Sequence, residues 1–314
     1  MSGTGLFCRN AVTFARDGSI DEDAFRQFLQ RFIDARIGLY LNSSGSGEAN
    51  ALTHEEMGRV YRIGVETCKG KIPVYGNPPE RPTVRETLEN IQLAIDCGVE
   101  VVNVYGPPGW HAFRPTDQEY LAFFDELLPS VKHPVALAPN PTLGYSPKPS
   151  LIVELCRRYP QVVLVNLVNQ GDDYFIELKD SLTRDVRLYV PLTGSLNALL
   201  LGANGLVGGE PNILTRTYRE YIDHYDAGRF HEAGQAYGHL KRFERYVWKW
   251  RGAHPRWIKM TLKVLKMPGG EGGLRSPYRM PDEAELQNFT DGLLRLRIPE
   301  ITELARAAGL ALPA

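Results

Sequence analysis

The chain has 314 residues, of which 43% are hydrophobic, and its formal net charge is −1. A chain of this length can bury a large core, and it contains no run of the roughly 18 apolar residues that a membrane helix needs. Lysine and arginine form no dense stripe that would favour nucleic acid. The composition therefore predicts an ordinary globular protein whose partner is neither nucleic acid nor a membrane.

The N-terminus and the cysteines give the compartment that we expect. The first ten residues, MSGTGLFCRN, lack the basic start and apolar middle of a signal peptide. The four cysteines lie far apart and fit neither a zinc spacing nor a small disulfide framework, at Cys8, Cys68, Cys97 and Cys156. We expect reduced thiols and a cytoplasmic protein.

Short apolar runs alternate with stretches of helical period, which is typical of a parallel sheet with helical crossovers. Eight such runs are predicted strands, at residues 5–14, 38–43, 72–77, 99–106, 134–140, 162–169, 186–193 and 205–208. Helices between them begin after residues whose side chains can cap the first turn, namely Asp21, Thr53, Thr83 and Thr116. Eight strands fit a closed barrel better than an open sheet.

After the eighth strand the alternation ends, and the remaining sequence is predicted to be helical, at 214–250, 255–267, 281–296 and 299–309. The predicted fold class is therefore α/β, a (β/α)8 TIM barrel over residues 1–213. A C-terminal helical bundle over residues 214–314 is expected to pack on it.

The reacting groups of such barrels lie at the C-terminal ends of the strands and on the loops that follow. Here those positions are rich in amides and poor in charges. In the loop NSSGSGEANALTHEE (42–56), the small residues Ser44, Gly45 and Ser46 allow backbone N–H groups to hold a carboxylate. A Ser/Gly loop taken alone is usually only a turn.

At this loop the sequence resembles the dihydrodipicolinate synthase and N-acetylneuraminate lyase family of pyruvate-dependent aldolases. The resemblance covers nearly the whole chain and includes TGSLNALLLGANGLVGGEPNI (193–213), HPRWIKMTLKVLKM (254–267) and LRSPYRMPDEAEL (274–286). It implies an eight-stranded barrel with a C-terminal helical bundle, usually assembled as dimers or tetramers. We accordingly expect a homodimer or homotetramer that acts on a small-molecule substrate.

The chain departs from the family pattern where the chemistry is expected. Family enzymes form a Schiff base between a lysine of strand six and a 2-oxo acid, and a strand-five tyrosine relays protons. In VVLVNLVNQGD (162–172) the matching position is Asn166 or, with one residue of slippage, Leu167, and in LAPNPTLGY (137–145) Ala138 matches the tyrosine. The resemblance thus implies a divergent member that lacks the Schiff-base lysine and the relay tyrosine.

No other lysine is a strong replacement. Of the ten lysines, Lys148 is the one whose predicted loop approaches the mouth, and several others, Lys259 among them, fall on predicted helices. A solvated lysine with a pKa of about 10.4 is a poor nucleophile at neutral pH.

The remaining candidates for proton chemistry are Glu210 after strand eight and His111 after strand four. Glu210 can instead cap a helix or pair with an arginine, and His111 can be an exposed loop residue. The other candidate substrate-binding residues are Asn77, Trp110, Asn140, Asn166 and Asn169. Amides can bind hydroxyl, carbonyl or carboxylate groups, or one another inside a silent barrel.

Two hypotheses follow from the sequence. The first is a lyase, of retro-aldolase or dehydratase type, that acts on a small oxo- or hydroxy-acid or polyhydroxy substrate without an imine. The alternative is a catalytically silent relative that binds a small ligand or serves as a subunit partner of an active aldolase. The seven histidines form no HxH or HxxxH pair, so neither a metal nor a cofactor is predicted.

Overall fold

The computed structural model describes residues 3–111, 113–168, 170–250 and 255–313. Eight parallel strands close into a barrel in chain order, with the last strand pairing with the first. They are β1 Gly5–Arg9, β2 Gly38–Leu41, β3 Val74–Gly76, β4 Val101–Tyr105, β5 Val135–Ala138, β6 Val162–Asn166, β7 Arg187–Val190 and β8 Gly205–Gly208. The predicted TIM barrel is confirmed.

Helices join the strands and cover the outside of the barrel. They are α1 Glu22–Asp34, α2 His54–Cys68, α3 Val84–Asp96, α4 Asp117–Leu127, α5 Pro149–Arg158, α6 Asp172–Ser181 and α7 Ser195–Leu200. The four predicted caps, Asp21, Thr53, Thr83 and Thr116, each accept a hydrogen bond from a backbone N–H in the first turn. Each cap contributes about 1 kcal/mol to helix stability.

The first strand is shorter than predicted, because residues 10–14 hydrogen-bond away from the ladder. The backbone N–H of Ala11 donates to Asn212 Oδ1 at 2.8 Å, and the carbonyl of Thr13 accepts from Asp21 N at 3.0 Å. The strand therefore ends at Arg9, which places that residue at the C-terminal rim of the barrel.

The C-terminal helices are α8 Thr215–Asp226, α9 Phe230–Trp248, α10 Arg256–Val264, α11 Glu283–Arg295 and α12 Pro299–Ala307. The predicted segment 214–250 is thus two helices, joined by a turn at residues 227–229. α10 and the chain after it lie against the loops that follow β1 and β2, where Arg275 donates to the carbonyls of Gly18 and Ala51. The helical region therefore supports one side of the C-terminal rim.

Within the described ranges, every helix is too short or too polar to cross a membrane.

Candidate functional site

Side chains inside the barrel lie in layers, because every second residue of a strand points inward. The middle layer is largely apolar and packs as one cluster, formed by Phe7, Tyr40, Tyr75, Val101, Ala136, Leu164, Tyr189 and Val207. Two residues further along their strands, towards the mouth, stand Arg9, Asn77, Asn103 and Asn166. These four residues, together with Tyr105 at the end of β4, are called the polar layer below.

Asn166 lies at the centre of the polar layer. Its Nδ2 donates to Tyr40 Oη at 2.9 Å and to Asn103 Oδ1 at 2.7 Å, and the side chain is fully buried. Leu167 instead belongs to the apolar cluster between the barrel wall and the surrounding helices, called the outer cluster below. Asn166 is therefore the residue of this pair that faces the barrel interior. Among the described residues, Asn166 Oδ1 and Asn103 Nδ2 have no hydrogen-bond partner. Each unpaired buried group costs about 1–3 kcal/mol unless water or a ligand bonds to it.

Arg9 brings a positive charge into this layer. Its Nε and Nη2 are shielded from solvent and have no hydrogen-bond partner among the described residues. A guanidinium group matches a carboxylate in shape, since two parallel N–H groups can bond to its two oxygens. Arg9 therefore favours an anion at the mouth.

Tyr105 connects Arg9 with Asn77. Its hydroxyl donates to Asn77 Oδ1 at 3.3 Å. Burial raises the pKa of Tyr105 above its ordinary value, the charge of Arg9 opposes this rise, and the charge of Glu80 adds to it. Burial likewise raises the pKa of Tyr40, against the hydrogen bond from Asn166. Both hydroxyls are protonated at neutral pH and can donate to an oxygen.

The loop after β2 stands beside the polar layer and is held at several points. Ser44 Oγ donates to the carboxylate of Glu80, and the N–H of Gly47 donates to Ser43 Oγ at 3.1 Å. Ser46 is buried, whereas Ser44 and Gly45 are partly exposed. Glu80, on the loop after β3, is therefore a half-buried carboxylate whose charge reaches Tyr105.

A buried ion pair fastens the same loop to the C-terminal helices. Lys259 Nζ lies 2.9 Å from Glu48 Oε2, and the two side chains are 0% and 5% exposed. The ammonium group also stands 4.4 Å from the centre of the Phe14 ring. Burial lowers the pKa of Lys259 and raises that of Glu48, and each partner opposes the shift of the other.

Lys259 is therefore the buried lysine of the chain, and it lies outside the barrel interior. Its neighbours Val12 and Phe14 belong to the outer cluster. All ten lysines fall within the described ranges; Lys241 is half-buried and bound to Glu244, and the other eight are exposed. Lys148 pairs with Asp117 at 3.0 Å.

The two catalytic candidates of the sequence lie apart. Glu210 follows β8 and is 6% exposed; its Oε2 accepts from Tyr218 Oη at 3.4 Å, and burial raises the pKa of Cys8, a rise to which the charge of Glu210 adds. Both neighbours belong to the cluster outside the barrel wall. His111 is exposed on the loop after β4, on the opposite side of the barrel. The structure does not bring these two side chains together.

The binding candidates are also distributed. Asn77 and Asn166 belong to the polar layer, and Trp110 is 67% exposed beside His111. Asn140 caps the short turn Pro141–Leu143, because its Oδ1 accepts from the N–H and the hydroxyl of Thr142. Asn169 lies outside the described residues. The sequence had not singled out Arg9, Asn103 or Glu80.

Across the part of the chain that the structure describes, no three His, Cys, Asp or Glu side chains are grouped so as to hold a metal ion. The mouth thus offers one guanidinium group, several amides, two tyrosine hydroxyls and one nearby carboxylate. Such a set can bind a carboxylate, donate hydrogen bonds to a developing oxyanion and move a proton.

A closed (β/α)8 barrel with a polar mouth and a C-terminal helical region is the architecture of a TIM-barrel protein with a small-molecule site at the C-terminal rim. The sequence model of the Dihydrodipicolinate synthetase family matches residues 3–294. The chain belongs to this family.

Curated relatives agree with this assignment. The chain is 29% identical over 294 residues to the 4-hydroxy-tetrahydrodipicolinate synthase of Methanococcus maripaludis, which covers 90% of this chain and 97% of that protein. It is 28% identical over 277 residues to the protein of the same name in Maridesulfovibrio salexigens, with coverages of 86% and 89%.

Solved structures show the same fold. The dihydrodipicolinate synthase DapA-2 of Bacillus anthracis superposes with a TM-score of 0.84 at 19% identity, over 95% of this chain and 99% of that one. YagE of E. coli K12, a family member solved in complex with pyruvate, gives 0.83 at 19% identity, with the same coverages.

Proposed function

We propose that this protein is a lyase of the retro-aldolase or dehydratase type that acts on a small oxo- or hydroxy-acid, or a polyhydroxy acid, without a lysine imine. Membership of an aldolase and lyase family supports the reaction class. The observation that carries the proposal is the polar layer itself, in which the amide of Asn166 lies at the C-terminal end of β6, in the same layer as an arginine with unbonded nitrogens.

The lysines support the imine-free part of the proposal. An imine requires an amine that loses its proton and reaches the carbonyl carbon of the substrate. Lys259 has a lowered pKa, but its ammonium group is bound to Glu48 in the outer cluster. The exposed lysines stand on helices, helix ends and outer loops.

In the proposed complex Arg9 binds the substrate carboxylate, and the small residues Ser44, Gly45 and Ser46 border it. The unbonded amide nitrogens of Asn77 and Asn103 hold the carbonyl or hydroxyl oxygen next to it, and Asn166, whose Nδ2 is bonded to Tyr40 and Asn103, keeps Asn103 in place. These donors are fixed in a buried site, where hydrogen bonds to a developing negative charge are strongest.

For a retro-aldol cleavage, Glu80 accepts the proton of the β-hydroxyl group as the adjacent C–C bond breaks. The hydroxyl carbon becomes a carbonyl, and the bonding pair forms an enolate of the 2-oxo acid, whose oxygen the amides hold. Tyr105 then donates its proton to the enolate carbon. It recovers a proton from Glu80 through water, which balances the reaction. Glu210, which faces Tyr218 and Cys8, is assigned a structural role in this scheme.

The test is turnover on a panel of small 2-oxo acids, aldols and hydroxy-acids, with Arg9→Gln beside Arg306→Gln. Arg306 is an exposed arginine at the end of α12 and serves as the matched control. A hydrogen bond to a charged group contributes roughly 1.5–3 kcal/mol, so Arg9→Gln is expected to lower kcat/KM about ten- to a hundredfold. Arg306→Gln should match the wild type. Absence of turnover on every compound contradicts the proposal.

One observation favours a second candidate, a catalytically silent relative that binds a small ligand or partners an active aldolase. Asn166 Nδ2 is already bonded to Tyr40 and Asn103, so part of the layer is satisfied without substrate. A 2-oxo acid that raises the melting temperature through Arg9 but is never converted would support this candidate.

We further propose that the protein acts as a homodimer or homotetramer, as the resemblance to family enzymes implies, and that it acts in the cytoplasm, which its four free cysteines favour. Light scattering at micromolar concentration measures the mass directly. A monomer contradicts this part of the proposal and leaves the site chemistry open to its own test.

A further inference from the structure

A second cavity opens at the opposite, N-terminal end of the barrel. Its volume is about 740 Å³, which lies within the range of small-molecule sites. It is lined by the starts of β1, β2, β3, β7 and β8 and by one face of α8.

The adjacent strands β8, β1 and β2 begin with glycine, which lets aromatic rings of the barrel interior pack close to the backbone at this end. A Cβ atom on Gly5 would lie 2.4 Å from Tyr189 Oη, and one on Gly38 would meet the Phe7 ring at the same distance. Tyr75 and Tyr189 line the inner end of the cavity.

An aromatic plug separates this cavity from the polar layer. The Phe7 ring stacks on Tyr75 at 4.5 Å between centroids and lies 5.4 Å from Tyr189, while Tyr40 packs edge-on against Tyr75 at 5.2 Å. All four rings are buried in the middle layer. A ligand in this cavity therefore has no contact with Arg9 or Asn166.

The charges of the lining favour an anion. Asp223 is shared by Arg36 and Arg219 at 2.8 and 2.9 Å, and Asp226 accepts from the backbone and hydroxyl of Thr4. Arg187 has no carboxylate in ion-pair contact among the described residues. The lining holds three arginines and two aspartates, so it carries one net positive charge.

Arg187 is also surrounded by suitable hydrogen-bond donors. Its guanidinium carbon lies 5.9 Å from the centre of the Tyr189 ring, and its charge lowers the pKa of Tyr75 and Tyr189 against the larger rise caused by burial. Both tyrosines are protonated at neutral pH and can donate. One half-buried guanidinium group and two hydroxyls suit a group with two or three equivalent oxygens.

We propose that this cavity is a second ligand site, which binds a small oxyanion of the carboxylate or phosphate class at Arg187. The site is independent of the chemistry proposed for the mouth. Its ligand uses Arg187, Tyr75 and Tyr189 as donors, while Arg36 and Arg219 offset the charges of Asp223 and Asp226 at the entrance.

The test titrates the full-length protein with sodium phosphate or with sodium malonate in a chloride buffer of constant ionic strength, followed by calorimetry and by melting temperature. We compare the wild type with Arg187→Gln, with Tyr189→Phe, and with Arg242→Gln, an exposed arginine of α9 that serves as the control. Arg9→Gln separates this site from binding at the mouth. The anion that binds more tightly shows whether the site prefers a phosphate or a carboxylate group.

We expect at least one anion to bind, and Arg187→Gln to weaken it about ten- to a hundredfold, because a charge-assisted hydrogen bond is lost. Tyr189→Phe retains the guanidinium group, and we expect a smaller loss of severalfold; it decides the question if Arg187→Gln fails to fold. Arg242→Gln and Arg9→Gln should retain the Arg187-dependent binding. Binding of neither anion, equal binding to Arg187→Gln or loss of all binding in Arg9→Gln overturns the proposal.

Discussion

Replacing Lys259 with methionine tests the buried ion pair that fastens the loop after β2. The change keeps most of the side-chain volume but removes the ammonium group that lies 2.9 Å from Glu48 Oε2. Glu48 is then a buried carboxylate that has lost its ion-pair partner and keeps only the backbone N–H and the charge of Arg275. Breaking a buried pair on one side costs roughly 3–5 kcal/mol, because the remaining charge is no longer compensated by its partner.

The penalty should depend on pH, and its sign follows from Glu48. Burial raises the pKa of Glu48 even with Lys259 present, and the charge of Lys259 opposes that rise. The variant therefore has a higher Glu48 pKa in the folded state than in the unfolded state. Its deficit is small below the ordinary pKa of 4.5 and grows as the pH rises towards 7.

Urea unfolding of the wild type and Lys259→Met at pH 5 and pH 7 measures both effects. Lys263→Met is the matched control, since Lys263 is exposed one turn further along α10; it should change stability by less than about 0.5 kcal/mol. The double variant Glu48→Gln/Lys259→Met should regain part of the loss. If Lys259→Met is as stable as Lys263→Met, Lys259 is not held as the structure describes.

Four further substitutions test three other parts of the structure. Asn166→Leu removes the bonds to Tyr40 and Asn103 and should lower the free energy of unfolding by about 1–3 kcal/mol, measured in urea; an unchanged value contradicts the buried network. The Arg275 side chain, more than the Thr53 cap, lowers the pKa of Glu56 to about 2. The ionised Glu56 therefore contributes stability that is lost as the pH falls from 4.5 towards 2. Arg275→Met should make the free energy of unfolding depend less on pH over that range, as measured by acid titration. Glu80→Gln should lower kcat about a hundredfold if it is the base and Glu210→Gln less than about tenfold, and the reverse order would restore Glu210 as the catalytic carboxylate.

The barrel could be predicted from the sequence because its signals are local. Buried parallel strands read as apolar runs, and caps such as Thr53 and Thr116 mark where each helix begins. Local signals do not show where each strand ends, and therefore do not show which side chains lie at the mouth. The predicted first strand ran to residue 14, which placed Arg9 in the middle of a strand, whereas the observed strand ends at Arg9.

Asn103 and Lys259 were missed for reasons of tertiary packing. Asn103 stands inside an apolar run, and its partner Asn166 is 63 residues away. Lys259 follows an ordinary helical pattern, but its helix packs against a carboxylate that lies over 200 residues earlier in the chain. Asn140, in contrast, was a reasonable candidate by position, and its turn explains why its oxygen is engaged: short polar side chains readily bond to the next backbone N–H groups.

We propose that the mouth of this barrel acts on, or binds, its ligand without an amine. Treatment of the protein with borohydride in the presence of pyruvate, followed by peptide mass mapping, measures this directly. We expect every lysine peptide, including the one with Lys259, to keep its unmodified mass. A reduced pyruvyl adduct on any lysine of the chain would instead show that the protein forms an imine.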